Sequence, residues 1–535
     1  MPRQASGAML QLEDLHVDYS QNGTVVPVLN HLSFELGKGE IVSLLGESGS
    51  GKSTIARALT GLLPPSANVG SGSMTIGSEP PVDLSGKRVP WRRIRGRQVA
   101  MLFQDAQQAL NPVVKIKDHF KESLLYHRLA SPNEVLDASA RLLAALNFSN
   151  PLDVLERYPF QLSGGMCQRI CLALALCLKP AVLVADEPTS ALDTVSQKEV
   201  LDLIASKQRE LGLTVLLITH DIAVANAISD RVIVLNEGVI EEEGDARRVL
   251  SKPIAAYTRQ LLAARAQLSA PTRDREPSRE DEPLLHIIGL EKTFSRKKRV
   301  LQAVDLTLHR QEIIGILGQS GCGKSTLAKC IAGLELPSGG RILFRGRDIG
   351  RLRGRSRREV CQRIQLVFQD ARASLNPGRT ALQLVQEPLR YMNIADKKER
   401  ENLSAFYLNE VGIVGDLQKR RPPQLSTGQC QRIAIARALV LQPEVVICDE
   451  AVSALDMSVQ AQILALLQRL HRQHGFAVVM ISHDIRVLRS FCHHIAIMKE
   501  GSFCEIVRAH DLPEQSRQAY THLLLKCAGD MEVGL

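Results

Sequence analysis

Short apolar runs, each stopped by glycine or by a charged residue, recur along this chain. Ile41–Leu45 and Ile313–Leu317 are apolar and end in glycine, the pattern of a buried strand. Residues 181–185 and 445–448 are apolar and run into Asp-Glu, while residues 215–218 and 478–481 lead to a histidine. Helices are predicted to open at Lys52-Ser53-Thr54 and at Lys324-Ser325-Thr326, just behind the first pair of runs. Another apolar helix is predicted over 170–178, opened by Ser163-Gly164-Gly165. Strands alternating with helices predict an α/β fold on a mostly parallel sheet, with ligands bound at its carboxyl edge.

The whole pattern occurs twice. GESGSGKST at 46–54 returns as GQSGCGKST at 318–326, and LFQDAQQALNP at 102–112 returns as VFQDARASLNP at 367–377. LSGGMCQRI at 162–170 returns as LSTGQCQRI at 425–433, ADEPTSALD at 185–193 as CDEAVSALD at 448–456, and ITHDI at 218–222 as ISHDI at 481–485. The copies of the last three motifs lie 263 residues apart and those of the first 272, so the length changes fall between the first and third motifs. Surface segments tolerate such changes. Two domains in series are expected, 8–262 and 284–525, joined at 263–283 by a charged, proline-bearing and therefore exposed linker.

Composition alters this picture little. The chain has 535 residues, 44% hydrophobic and 23% charged, enough for a sizeable core in each half. The net charge of +9 is spread over a long chain and reads as solvated surface, as do the arginine-rich stretches 91–97 and 345–358, so nucleic acid is not expected as a partner. Eleven cysteines without a paired CxxC group, several of them in apolar segments (Cys171, Cys177, Cys330, Cys448), suit buried free thiols in a reducing compartment. No signal-peptide core and no run of apolar residues long enough to span a membrane is present, so membrane work needs partner chains.

The chemistry lies in the repeated motifs. Gly46-Glu47-Ser48-Gly49-Ser50-Gly51-Lys52-Ser53-Thr54 and Gly318-Gln319-Ser320-Gly321-Cys322-Gly323-Lys324-Ser325-Thr326 fit a phosphate loop. Glycine lets the backbone amides curl around phosphate oxygens, and the following helix adds the positive end of its dipole. Lys52 and Lys324 are expected to reach the outer phosphates, Ser53 and Ser325 to ligate Mg²⁺. Asp186 and Asp449 close apolar strands and suit the Mg²⁺ shell, while Glu187 and Glu450 are placed to face an attacking water. His220 and His483, at the ends of the next strands, suit contact with the γ-phosphate. Ser163-Gly164-Gly165 at a helix start forms a further anion site.

Together these motifs resemble the ATP-binding cassette family over almost the whole chain. The resemblance implies two P-loop ATPase domains in tandem, each a RecA-like, mostly parallel core with an antiparallel β subdomain and a helical signature subdomain. By motif, Gln104 and Gln369 correspond to the Q-loop glutamine, which also joins the Mg²⁺ shell. Asp193 and Asp456 correspond to the D-loop, and His220 and His483 to the switch histidine. Tyr19 takes the place of the aromatic that stacks on adenine, with Phe294 as its counterpart. The resemblance further implies a head-to-tail sandwich with two composite ATP sites, the first phosphate loop served by Ser426, Gly428 and Gln429 and the second by Ser163 to Met166. Two positions depart from the family pattern: Thr427 replaces glycine and Met166 replaces glutamine. A β-branched residue disfavours positive φ, so if position 427 needs glycine's freedom the Lys52 site is expected to be the slower.

Leu110 to Pro112, Leu375 to Pro377 and the tails at 256–262 and 519–522 resemble the oligopeptide, dipeptide and nickel importer branch, here with its two ATPase chains fused. Residues 173–176 and 450–453 look like the nickel-type ATPases. The branch implies ATP and Mg²⁺ as cofactors, two transmembrane permease subunits, an extracytoplasmic substrate-binding protein and a peripheral place on the cytoplasmic face of the inner membrane. Some members carry a cysteine cluster behind the Tyr-Thr tail. Only Cys527 follows here, so no iron–sulfur cluster is expected. A tandem sugar-importer ATPase and a soluble tandem cassette acting on ribosomes are the alternatives.

Overall fold

In a computed structural model, residues 7–21, 24–86, 88–190, 192–269, 282–294, 298–453 and 455–530 are described. The chain divides into two compact units, one up to Ala263 and one from Ala264 to Ala528.

The first unit is built on a six-stranded sheet in the order Val239–Asp245, Arg231–Asn236, Ile41–Leu45, Thr214–Thr219, Val182–Asp186, Val99–Leu102. All neighbours are parallel except the hairpin made by the first two. Ile41–Leu45, Val182–Asp186 and Thr214–Thr219 are buried at every residue, because parallel strands are covered on both faces. One face packs against an antiparallel sheet of Thr24–Gly37, Ala8–Gln21, Ala67–Ile76 and Val82–Asp83, through Leu10, Leu12, Val42, Leu44 and Ile55. The other packs against helices through Phe120, Leu143, Ile170, Leu183 and Leu217. Those helices include Ile116–Tyr126 and Val135–Ala144, between Gln104 and the signature motif.

The second unit has the same strand order: Ser502–Arg508, His494–Lys499, Ile313–Leu317, Ala477–Ser482, Val445–Asp449, Ile364–Val367. Its antiparallel sheet holds Lys298–Leu308, Leu285–Phe294, Gly339–Phe344 and Arg347–Asp348. The strand Ala67–Ile76 has ten residues and its counterpart Gly339–Phe344 has six, which absorbs part of the length difference between the copies.

The units divide between Ala263 and Ala264, within a residue of the expected start of the linker. The helix Ala256–Ser269 runs through residue 263, and Arg265 is buried. An Ala- and Leu-rich stretch favours helix, which charge content alone hides. Residues 270–281 of the linker lie outside the described residues. The final helix Ala519–Asp530 likewise continues past residue 525. The cysteines are free thiols; burial pushes Cys171 and Cys448 up to about 12, and Cys177 and Cys330 up to about 11. Among the described residues no helix is long and apolar enough to cross a membrane.

Candidate active site

Each phosphate loop leaves a central strand and enters a helix, Lys52–Thr60 in one unit and Lys324–Ile331 in the other. Gly51 and Gly323 have φ of 105° and 111°, a conformation that L side chains rarely adopt. A Cβ on Gly46 would lie 2.3 Å from the Leu235 carbonyl oxygen, and one on Gly318 would lie 2.4 Å from that of Met498. The loops are therefore pinned at both ends by backbone geometry. Inside them, the Lys52 Nζ donates to the carbonyls of Gly46 (2.8 Å) and Glu47 (2.7 Å). The Lys324 Nζ donates to those of Gly318 (2.7 Å) and Gln319 (2.9 Å). Both lysines are buried.

The remaining candidates converge on the loops. Ser53 Oγ donates to Asp186 Oδ1 at 3.2 Å, and Ser325 Oγ to Asp449 Oδ1 at 3.1 Å. Gln104 Nε2 donates to Glu187 (2.7 Å) and Gln369 Nε2 to Glu450 (2.9 Å). His220 Nδ1 lies 3.0 Å from Glu187 Oε1, and His483 Nδ1 lies 3.7 Å from Glu450 Oε2. Both glutamates have left-handed backbones, φ 45° and 48°. Such strain costs about 1–3 kcal/mol and clusters at functional sites. It is held by the neighbouring strand, whose Ile218 and Ile481 carbonyls accept from the Glu187 and Glu450 amides at 2.9 and 3.0 Å.

Electrostatics separates the two acids of each pair. Burial, with the adjacent Glu187, holds the Asp186 carboxyl above the usual carboxylate range. Burial does the same for Asp449. Burial works to raise Glu187 as well, but the His220 hydrogen bond and charge, with Lys52 and Gln104, bring it below its ordinary value. Burial works to lower His220, but its bond to Glu187 and the negative charges of Glu187 and Asp221 together raise it. Glu450 is lowered against burial by His483 and Lys324.

The signature segments revise one expectation. Ser163 caps the helix Gly164–Leu176 by accepting from the Met166 amide at 3.3 Å. Ser426 caps Thr427–Leu439 by accepting from the Gln429 amide at 3.2 Å, and the Gln429 side chain accepts in return from the Ser426 amide at 3.0 Å. Thr427 is thus the first residue of a regular helix, and neither it nor Gly164 has a positive φ. The backbone argument for a slower Lys52 site falls away. Met166 is the departure with a structural consequence, since methionine cannot return the capping bond. Met166→Gln is expected to stabilise the first unit by about 1 kcal/mol, read from urea unfolding.

Asp193 caps the helix Thr194–Leu211 by accepting from the Ser196 amide, while Asp456 stands at the head of Met457–His474 without such a bond. Tyr19 is half-buried against the core, its hydroxyl 3.4 Å from Thr54 Oγ1. Phe294 is 39% exposed with the Lys292 ammonium 4.7 Å from its ring centroid. The aromatics therefore differ in setting. Two arginines escaped the sequence reading of the basic stretches as solvated faces. Arg95 donates to the Thr60 carbonyl (2.8 Å) and Arg357 to that of Gly333 (2.7 Å), so each holds the C-terminal end of a phosphate-loop helix, where the dipole favours a cation. Their spacing from the loops carried no signal of this.

Comparison with known proteins agrees with this geometry. The family model described as ABC transporter matches residues 29–190 and 301–453. The glutathione import ATP-binding protein GsiA of Escherichia coli (strain K12) is 36% identical, over 97% of this chain and 89% of its own length. Its namesake in Pectobacterium atrosepticum is 35% identical over the same shares. A chain in the crystal structure of the archaeal ribosomal stalk protein aP1 with the archaeal ribosome recycling factor aABCE1 is similar in fold, with a TM-score of 0.61. It is 21% identical over 93% of this chain and 90% of that one. This chain belongs to the ABC transporter family, as an ATP-hydrolysing, ATP-binding protein of the oligopeptide and dipeptide importer branch with two cassettes fused in one polypeptide.

Proposed function

We propose that this chain is the energy-coupling subunit of an importer for short peptides of the glutathione class. The observation that carries this reading is the 36% identity spread over 97% of the chain and 89% of a glutathione import ATPase. The resemblance of residues 173–176 and 450–453 to nickel-type ATPases says nothing of cargo, since those segments build the signature helix and the turn at Glu450.

In this reading the loop amides with Lys52 and Lys324 bind the phosphates of ATP. The residues at Ser53 and Asp186, and at Ser325 and Asp449, suit Mg²⁺: they are hard oxygen donors, and the raised Asp186 and Asp449 mark buried negative charge that a dication offsets. Gln104 and Gln369 offer their amide oxygens to the same ion. Bound Mg²⁺ supplies charge neutralisation at the phosphate oxygens. Glu187 and Glu450, oriented by these glutamines and facing His220 and His483, position the attacking water. Ser163, Gly164, Gly165, Ser426, Gly428 and Gln429 offer further anion sites for nucleotide at their helix starts, with Asp193 and Asp456 as the D-loop carboxylates and Tyr19 and Phe294 meeting the base. ATP binding and hydrolysis drive two permease subunits at the cytoplasmic face of the membrane, fed by an external binding protein.

The test is ATPase activity of the complex with its permeases, with the binding protein empty or loaded with glutathione, dipeptides, longer peptides or nickel. Glutathione or short peptides are expected to stimulate most. Stimulation by nickel alone would replace the cargo class. A chain that joins no permease yet hydrolyses ATP alone would sink the importer reading and favour a soluble tandem cassette.

A further inference from the structure

In both units the chain beyond the core sheet folds back on its own phosphate loop. In the first, Glu242 on the strand Val239–Asp245 accepts from the backbone amides of Ile254 and Ala255, each at 3.1 Å. Those amides open the helix Ala256–Ser269, where a carboxylate is favoured by the helix dipole. The second residue of that helix, Tyr257, accepts from the Glu47 amide through its hydroxyl at 3.2 Å. In the second unit Glu505 accepts from the Arg517 amide (2.7 Å) and from Thr521 Oγ1 (2.7 Å). Tyr520, second in the helix Ala519–Asp530, then accepts from the Gln319 amide at 3.2 Å. Burial works to raise both glutamates, yet these donors hold both below their ordinary value, as expected of anchors that stay ionised.

The same bond is thus made twice, across 210 and 201 residues of chain, to loop residues that differ (Glu47, Gln319) because the donor is the backbone. The loop residue held is the one directly after Gly46 or Gly318, whose own approach to a neighbouring carbonyl leaves no room for a side chain. The entrance of each loop is therefore fixed from two directions. A loop that cradles phosphate with amides binds more tightly the less ordering it needs on binding.

We propose that Tyr257 and Tyr520 are positioning residues, each a clasp by which the C-terminal tail of a cassette presets its phosphate loop for nucleotide. Neither hydroxyl is assigned to the reacting atoms, so the effect falls on binding.

The experiment uses the full chain in its permease complex, comparing Tyr257→Phe, Tyr520→Phe and the double variant. The ring is kept and the hydroxyl that accepts from the loop amide is lost. The double variant is expected to raise KM for ATP and the Kd of ADP by about three- to tenfold, with kcat and the melting temperature without nucleotide unchanged. Thr521→Val, which loosens Glu505 without touching a tyrosine, is expected to shift KM the same way. Unchanged KM and Kd in the double variant would overturn the proposal. So would a fall in kcat and in melting temperature at constant KM, the mark of a merely structural tail.

Discussion

Replacing Glu187 and Glu450 together by glutamine is expected to lower ATP turnover by about 10²–10⁴-fold while nucleotide binding is retained. The setting behind this expectation is the same in both units: each carboxylate meets a glutamine amide at 2.7 or 2.9 Å, sits on a left-handed backbone, and lies below its ordinary pKa beside a histidine. Glutamine keeps the size and the backbone demand but cannot accept a proton, so the fold should tolerate it. Singly, Glu187→Gln and Glu450→Gln are expected to be equally damaging, because the two signature helices start with the same backbone despite Thr427. Steady-state ATPase of the permease complex measures this. A marked difference between the single variants would restore unequal sites, with a cause other than glycine's freedom. Full activity in the double variant would remove both glutamates from the chemistry.

The parallel strands were legible because a strand covered on both faces must be apolar throughout. Ile41–Leu45 and Ile313–Leu317 have the predicted bounds, Val182–Asp186 lies one residue on from the predicted 181–185, and Val445–Asp449 extends its predicted run to the aspartate. The loops, the aspartates and the signature helices were legible for the same reason: their chemistry is local in sequence. What escaped is non-local. The φ of Glu187 is imposed by pairing with Ile218 on another strand, and nothing in its neighbours hints at it. The bond from Tyr257 to the loop spans most of a domain, so its tail could be recognised as a repeated pattern but not given a task. The helix through residue 263 was hidden because charge was weighed above helix propensity.

Lys52→Met and Lys324→Met together are expected to weaken ATP binding by about 2–5 kcal/mol, from tens-fold to thousands-fold. Each ammonium is buried and donates to two carbonyl oxygens of its own loop, a setting that places positive charge inside the loop. Phosphate oxygens are the complement of such a charge. Stability without nucleotide is expected to hold, because two opposed terms change at once. Charge-assisted bonds to the carbonyls are lost, about 1.5–3 kcal/mol each. The desolvation of a buried ammonium, several kcal/mol, is relieved, and methionine fills the same space. Thermal unfolding with and without ATP separates the two: the nucleotide-induced rise should vanish while the baseline stays. Retained ATP affinity would take both lysines out of phosphate binding. The loops differ beside the lysine, Ser50 in one and Cys322 in the other. Since the close partners are backbone carbonyls in both, the single variants are expected to lose affinity alike.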